Sequence, residues 1–322
     1  MKIIIVGAGE VGTHLAKLLA RENINITLMD EDPNKLKDLE ANYDLLAYEG
    51  LPTSIRDLKD VGVKDADLFI AVTPQEGVNM TACMLANNLG AKKTLARIDN
   101  QEYLEPQNME FFQKLGVHHL IYPEVLAAQE IVTALESNWL RQKLSFSNGE
   151  LILLGIKVRE NAMILNKKFM SGYFDHRRYR IVAIKRNNTT IIPSGNDEIL
   201  ENDIVYFITQ EEDLDFVREQ AGKTVYKIDN VMIMGGSRIA QKAVNMFPNQ
   251  KRVKILERDR DKSYALAEKC KKSLIINSDG RNIDVLKEEG IHEMDAFISV
   301  TANSEANILA CLAAKRLGVK KT

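Results

Sequence analysis

The chain is 322 residues long and repeats itself. At a constant offset of 228, residues 62–94 and 290–322 share 15 of 33 positions without a gap. About two identities would be expected by chance at ordinary composition. The shared positions include Asp67/Asp295, Phe69-Ile70 with Phe297-Ile298, and Val72-Thr73 with Val300-Thr301. They continue through Asn79/Asn307 to Lys92-Lys93-Thr94 with Lys320-Lys321-Thr322. The same offset carries Ile5-Val6-Gly7 onto Ile233-Met234-Gly235, so the first 94 residues recur. A duplication of this kind limits the fold more than any single motif, because both copies must build the same supersecondary units. The second copy stops opposite Thr94, so the chain is expected to be a fragment whose second unit is cut short.

Within the first copy, strand and helix patterns alternate. Residues 2–6 are a continuous apolar run, as in a strand buried on both faces. Residues 12–21 have helical periodicity, 24–28 alternate as a strand, and Asp32-Pro33 opens a further helix. Strands at 44–48, 68–72, 94–98 and 117–121 follow, with helices at 55–59 and 78–89. This alternation predicts an α/β fold with a doubly wound parallel sheet. Residues 151–218 read differently, with strands at 151–158, 179–185, 190–192 and 203–208, a turn at Asn187-Asn188 and a closing helix at 213–220. The domain reading is therefore a first unit at 1–122, a crossover helix at 123–140, a small α+β lobe at 141–222 and an incomplete second unit at 228–322. The crossover helix carries Leu126, Ile131, Ala134 and Leu135 on one face and is a candidate to cross to another subunit.

Composition removes several function classes. Lys+Arg 43 against Asp+Glu 45 gives a net charge of −2, which speaks against nucleic-acid binding through a strongly basic surface. No apolar run approaches the roughly 18–20 residues of a membrane-spanning helix. The short run at the N-terminus breaks at Gly7-Ala8-Gly9 and lacks a signal-peptide layout. Three scattered cysteines, Cys83, Cys270 and Cys311, suit neither a disulfide framework nor a zinc site. Together these features predict a soluble cytosolic chain without a metal centre.

Gly7-Ala8-Gly9-Glu10-Val11-Gly12 fits the G-x-G-x-x-G pattern between a strand and a helix. Gly7 allows the tight turn, Gly9 lets a pyrophosphate approach the backbone, and Gly12 allows close helix–strand packing. The helix N-terminus adds N–H groups and positive dipole. Asp30 lies 30 − 7 = 23 residues past the first glycine, where a carboxylate receives ribose hydroxyls and disfavours a 2′-phosphate. The motif thus predicts NAD rather than NADP. The second copy reads Gly235-Gly236-Ser237-Arg238-Ile239-Ala240, with Ser237 opposite Gly9 and Ala240 opposite Gly12. Glu257 retains the acidic partner, but the Ser237 side chain crowds the phosphate approach, so this is the weaker site. Cys83 and Cys311 read as core residues, His118-His119 has no ligand partner nearby in sequence, and residues 176–180 (His-Arg-Arg-Tyr-Arg) form a basic patch. No nucleophile–base constellation stands out.

Two Rossmann units, opening on IIIVGAGEVG and MIMGGSRIA, flank the small lobe, and DLFIAVTPQEGVN at 67–79 recurs as DAFISVTANSEAN at 295–307. Over essentially its whole length the chain resembles the TrkA family, the cytosolic regulatory subunits of Trk-type potassium uptake systems, built from tandem RCK (or KTN) domains. The resemblance implies a non-enzymatic sensor that binds NAD(H), ATP or ADP in its Rossmann clefts. It also implies a homo-oligomer, a dimer or a tetrameric ring, held peripherally on the inner face of the membrane under a Trk-type potassium channel subunit. Carried over by motif position, the cleft residues are Gly7, Ala8, Gly9, Glu10, Val11, Gly12 and Asp30. Gly50 and Leu51 after the third strand, Thr73 and Pro74 after the fourth, and Arg97 on the fifth complete the first site. Gly235, Gly236, Ser237, Arg238, Ile239 and Glu257 form the second. Family members usually carry an acidic residue where this chain has Leu51. Two other readings of the residues stand beside this one: an NAD-dependent dehydrogenase-like enzyme with His176 as the lobe's one candidate proton donor, and a scaffold with empty clefts.

Overall fold

The apolar run at the N-terminus becomes β1 (Lys2–Val6), buried from Ile3 to Val6, at the centre of a parallel sheet. A computed structural model describes residues 1–22 and 24–322. It divides into two units, Met1–Leu126 and Ala127–Thr322. In the first unit, β2 (Asn25–Asp30), β3 (Leu46–Glu49), β4 (Leu68–Ala71), β5 (Thr94–Arg97) and β6 (His119–Ile121) join β1 in the order β3-β2-β1-β4-β5-β6. Every pair is parallel. Such a sheet needs a crossover segment between successive strands. These carry α1 (Glu10–Leu19), α2 (Pro33–Leu36), α3 (Leu39–Asn42), α4 (Ile55–Asp60), α5 (Glu76–Asn88) and α6 (Pro106–Lys114).

Two local departures from the sequence expectation have clear causes. The helix opened by Asp32-Pro33 starts as expected, with Asp32 accepting the Asn34 N–H at 3.0 Å, but it lasts a single turn. Asp38 then adopts φ 63°, a left-handed conformation, and α3 begins afresh, so Leu36 and Leu39 both reach the core. Helix α6 lies outside the elements read from the sequence. It buries no residue fully: Met109 and Phe112 are half-buried and Phe111 is exposed.

The second unit holds two sheets. In the lobe, β7 (Gln142–Phe146), β8 (Leu151–Lys157), β9 (Tyr179–Arg186), β10 (Thr189–Ile191) and β11 (Ile204–Thr209) form an antiparallel sheet ordered β10-β9-β11-β8-β7. Asn187 supplies the expected hairpin turn at φ 55°. Strand β7 was not read from the sequence because its burial is slight on both faces. After α7 (Pro123–Glu136), which begins in the first unit, and α8 (Leu214–Gln220), the duplication returns as β12 (Asn230–Met234), β13 (Arg252–Glu257), β14 (Ser273–Asn277) and β15 (Ala296–Ser299). Their order is β14-β13-β12-β15, that of the first sheet's first four strands. The register repeats as well: Ile3 faces Leu68 and Val231 faces Ala296, each moved by 228. Helices α9 (Arg238–Met246), α10 (Arg260–Lys269), α11 (Ile283–Glu288) and α12 (Ser304–Arg316) match α1 to α5 in position, with α10 in the place of the broken α2–α3 pair.

The expected apolar face of the crossover helix needs correction. Leu126 and Ala134 are exposed, and the buried stripe runs through Ala128, Ile131, Val132 and Leu135. That i, i+3, i+4, i+7 stripe packs on Val231, Ile233 and Ile255 of the chain's own second parallel sheet, and this face is not available to cross to another subunit. Among the described residues, no helix is long and apolar enough to cross a membrane.

Candidate functional site

In both parallel sheets the glycine-rich loop leaves the C-terminal end of the central strand, where the strand order reverses between β1 and β4 or between β12 and β15. Ligands of open α/β sheets bind at such a switch point. Gly7 sits at φ 100°, and a Cβ there would lie 2.9 Å from the Thr73 nitrogen. Its N–H donates to the Met29 carbonyl at 2.8 Å. Gly12 packs so closely that a Cβ would lie 1.8 Å from the Gly7 carbonyl oxygen. Gly9 is different: a Cβ there would meet nothing within 4 Å. Its lack of a side chain therefore serves open space, where a phosphate could approach. Glu10 and Val11 open α1 and are exposed, whereas Ala8 is buried.

Asp30 is 6% exposed and is already engaged by its own protein. One carboxylate oxygen accepts the Ala8 N–H at 2.7 Å and the other the Asp32 N–H at 2.9 Å. Lys35 adds an ion pair at 3.2 Å. The residue expected to receive a ribose thus also fixes the shape of the glycine loop, and a ribose hydroxyl would take the place of the Lys35 ammonium, which lies 3.2 Å from one carboxylate oxygen and 3.5 Å from the other. Gly50 follows β3, its N–H donating to the Asp30 carbonyl at 3.1 Å, and the Leu51 N–H donates to Asp57 at 2.9 Å. The Leu51 side chain is half exposed.

The loop after β4 is held by a residue whose role the sequence did not disclose. Asn79 is fully buried on α5. Its Oδ1 accepts the Thr73 N–H at 2.9 Å and the Thr73 hydroxyl at 2.7 Å. Its Nδ2 donates to the carbonyls of Thr73 and Arg97, each at 2.9 Å. The asparagine therefore bolts the ends of β4 and β5 together and leaves Pro74 exposed at the rim. Arg97, expected to face phosphate, donates to Glu124 at 3.1 Å at the start of α7. The one available signal was the identity of Asn79 with Asn307, six residues past a shared Val-Thr.

The second copy rebuilds the same frame. Glu257 accepts the Gly236 N–H and the Asp259 N–H, both at 2.8 Å, as Asp30 does with Ala8 and Asp32. Asn307 accepts the Thr301 N–H at 3.1 Å and its hydroxyl at 2.6 Å, and donates to the Thr301 carbonyl at 2.9 Å. A cleft of about 640 Å³ opens here, lined by the Gly235–Arg238 loop, Glu257, Arg258, Asp279 and Arg281. Ser237 caps α9, its Oγ accepting the Ala240 N–H at 3.3 Å. Ile239 is half-buried behind it. Asp279 is gripped by Arg281, whose Nε lies 2.9 Å from Oδ1, and this pairing holds the carboxyl down at about 2.

Three further candidates are held in structural contacts, whereas His176 is exposed on the lobe. His118 Nδ1 accepts the Thr94 N–H at 3.1 Å. Within the basic run at 176–180, Arg178 pairs with Asp213 at 2.6 Å and stacks 3.8 Å over Phe216. Cys83 is fully buried, and burial pushes its thiol up to about 12.

The TrkA-N domain model matches the chain twice, over residues 3–123 and 231–322, and the TrkA-C domain model matches 153–222. The chain is 36% identical to the Trk system potassium uptake protein TrkA of Haemophilus influenzae, over 100% of this chain and 71% of that one. It belongs to the TrkA family. Against the TrkA protein of Halomonas elongata the identity is 31%, again over 100% of this chain and 71% of the relative. The crystal structure of the GsuK RCK domain superposes with a TM-score of 0.69 at 16% identity, over 98% of this chain and 67% of that one. The GsuK channel bound to NAD gives 0.69 at 16% identity, over 99% and 57%. These likenesses show the RCK fold. Within this frame, the acidic residue absent at Leu51 reappears in the second copy, where Asp279 occupies the corresponding position (51 + 228 = 279).

Proposed function

We propose that the chain is a nucleotide-sensing regulatory subunit of a potassium uptake system. It binds NAD(H), ATP or ADP in its Rossmann clefts and gates a Trk-type membrane potassium channel subunit through a cytoplasmic ring of RCK units, without catalysing a reaction. The reading is carried by one observation: two copies of the same frame, each with a carboxylate against the glycine loop and an asparagine clamp beyond it. The TrkA relatives, named for potassium uptake, and the GsuK channel bound to NAD support it.

The first unit also suggests how occupancy would leave the cleft. A ligand seated at Gly7–Gly12 would meet the Thr73 loop across the switch point. Asn79 ties that loop to the Arg97 carbonyl, and the Arg97 guanidinium holds Glu124 on α7. A displacement of the loop is thereby passed to a helix through hydrogen bonds that leave little slack. A nucleotide shifts the ring only by its differential affinity for two ring states, and about 1–3 kcal/mol is an ordinary coupling energy.

The test is reconstitution of the full chain with a Trk-type membrane subunit in vesicles, reading potassium flux against NADH, NAD, ATP and ADP. Flux that depends on the nucleotide supports the proposal. Flux indifferent to all of them, alongside measured binding, would overturn the gating role. Glu124→Gln should preserve nucleotide affinity and reduce the flux response.

A further inference from the structure

The two clefts share a frame but carry opposite charge where a ligand would lie. Glu10, the first residue of α1, corresponds to Arg238, the first residue of α9 (10 + 228 = 238). The segment between the first two strands is one residue shorter in the second copy, so Glu31, just past β2, corresponds to Arg258 (31 + 227 = 258). Arg238, Arg258 and Lys269 all line the second cleft, together with Lys262. Asp279, the one carboxylate gained, is neutralised by its Arg281 partner.

The backbone points the same way. Gly9 leaves the first helix N-terminus without a side-chain cap, open to a pyrophosphate at close range. In the second copy the Ser237 hydroxyl accepts the Ala240 N–H, which leaves one donor fewer at the helix start beside the side-chain cations of the cleft. Guanidinium groups bind phosphate oxygens two at a time and favour charge-dense chains. A nicotinamide dinucleotide spreads few phosphate charges over a long molecule. A nucleoside di- or triphosphate concentrates more of them at one end, and Glu257 still stands where a ribose hydroxyl is received.

We infer that the two clefts take different ligand classes: the first a nicotinamide dinucleotide, the second a nucleoside polyphosphate held by Arg238 and Arg258. The inference rests on the nucleotide-sensing reading and adds a division of labour to it. The second cleft, at about 640 Å³, lies within the range of small-ligand sites.

The experiment is calorimetry of the full chain with NADH and ADP, alone and in sequence. The expected result is independent binding, with NADH leaving the ADP isotherm unchanged and ADP affinity falling steeply with added salt. Arg238→Glu with Arg258→Glu gives the second cleft the residues of the first and should weaken ADP about tenfold or more while NADH is unmoved. The reciprocal pair Glu10→Arg with Glu31→Arg should create additional ADP binding in the first cleft. Competition of NADH and ADP for one site overturns the inference, as does a double variant that weakens both ligands equally or neither. Binding of neither nucleotide to the native chain would remove the sensor reading too. Binding of both without preference removes the division alone.

Discussion

The first and second Rossmann units keep their internal contacts and exchange what faces the ligand. The carboxylate that grips the glycine loop persists as Asp30 and Glu257, although the side chain lengthens by one carbon where the preceding segment shortens by one residue. The clamp persists as Asn79 and Asn307. Glu10 and Glu31, by contrast, become Arg238 and Arg258, and the open Gly9 becomes the capping Ser237. After a duplication, groups that satisfy buried backbone donors are costly to change, since an unpaired buried donor costs about 1–3 kcal/mol. Groups at an open rim cost little to change, usually within about 0.5 kcal/mol. The frame is conserved between the copies because the fold requires it. The rim is free to acquire a different preference.

The greatest asymmetry should appear at the last glycine of the loop. Gly12→Ala drives a methyl against the Gly7 carbonyl and should destabilise the first unit by about 3 kcal/mol, with loss of its nucleotide binding. Ala240 already fills the matching position, and Ala240→Gly should cost about 1 kcal/mol. Urea unfolding with hydrogen exchange to localise the change reads both, and equal effects would mean that the two loops pack alike. Next comes the clamp. Asn79→Ala orphans the half-buried Thr73 N–H and Arg97 carbonyl and empties a fully buried side-chain position, at about 2–3 kcal/mol. Asn307 is only half-buried, so water can replace its partners, and Asn307→Ala should cost about half as much. An Asn307→Ala variant as damaged as Asn79→Ala would show that burial does not separate the two.

Acid should distinguish the clefts more gently. The Asp279 carboxyl drops from an ordinary 3.8 to about 2 beside Arg281. A carboxyl depressed on folding adds stability above its unfolded value, and that contribution disappears as pH falls from about 4 to about 2. The pair is exposed, so the effect is below about 1 kcal/mol. Leu51 provides nothing to titrate. Asp279→Asn should flatten the acid limb of a stability–pH curve, and an unchanged limb would remove the pair from the account. Smallest of all is thiol chemistry. With Cys83 pushed up to about 12 by burial, iodoacetamide at neutral pH should leave it unmodified in the folded chain. Cys311 is half-buried and should label slowly, and faster labelling of Cys83 would reverse the expected order.

Much of the frame was legible from residues alone. The continuous apolar run of β1, the glycines at 7, 9 and 12 and the acidic residue 23 positions on follow from requirements that act locally in sequence. Helix α6 and strand β7 were not legible because neither presents a clear buried face to betray its period. The phase of α7 differs from the sequence expectation for a related reason. Leu126 and Ala134 are apolar, and only the neighbouring sheet selects Ala128 and Leu135 as the buried positions. Sequence places Arg97 at the cleft as a cation for phosphate, and only the fold sets Glu124, 27 residues away, beside it.

Repetition and local spacing were sufficient to establish two nucleotide-type units around a lobe, since turn geometry and strand periodicity depend on a few adjacent residues. The tertiary structure decided which groups are already engaged: Asp30 with the Ala8 N–H and Lys35, Asn79 with two strand ends, Asp279 with Arg281. It also brought Arg238 and Arg258 to one rim of one cleft. Hydrogen bonds and charges act through space over a few ångströms, and the separations along the chain that they bridge, from 2 to 27 residues in these cases, follow no period that a sequence displays.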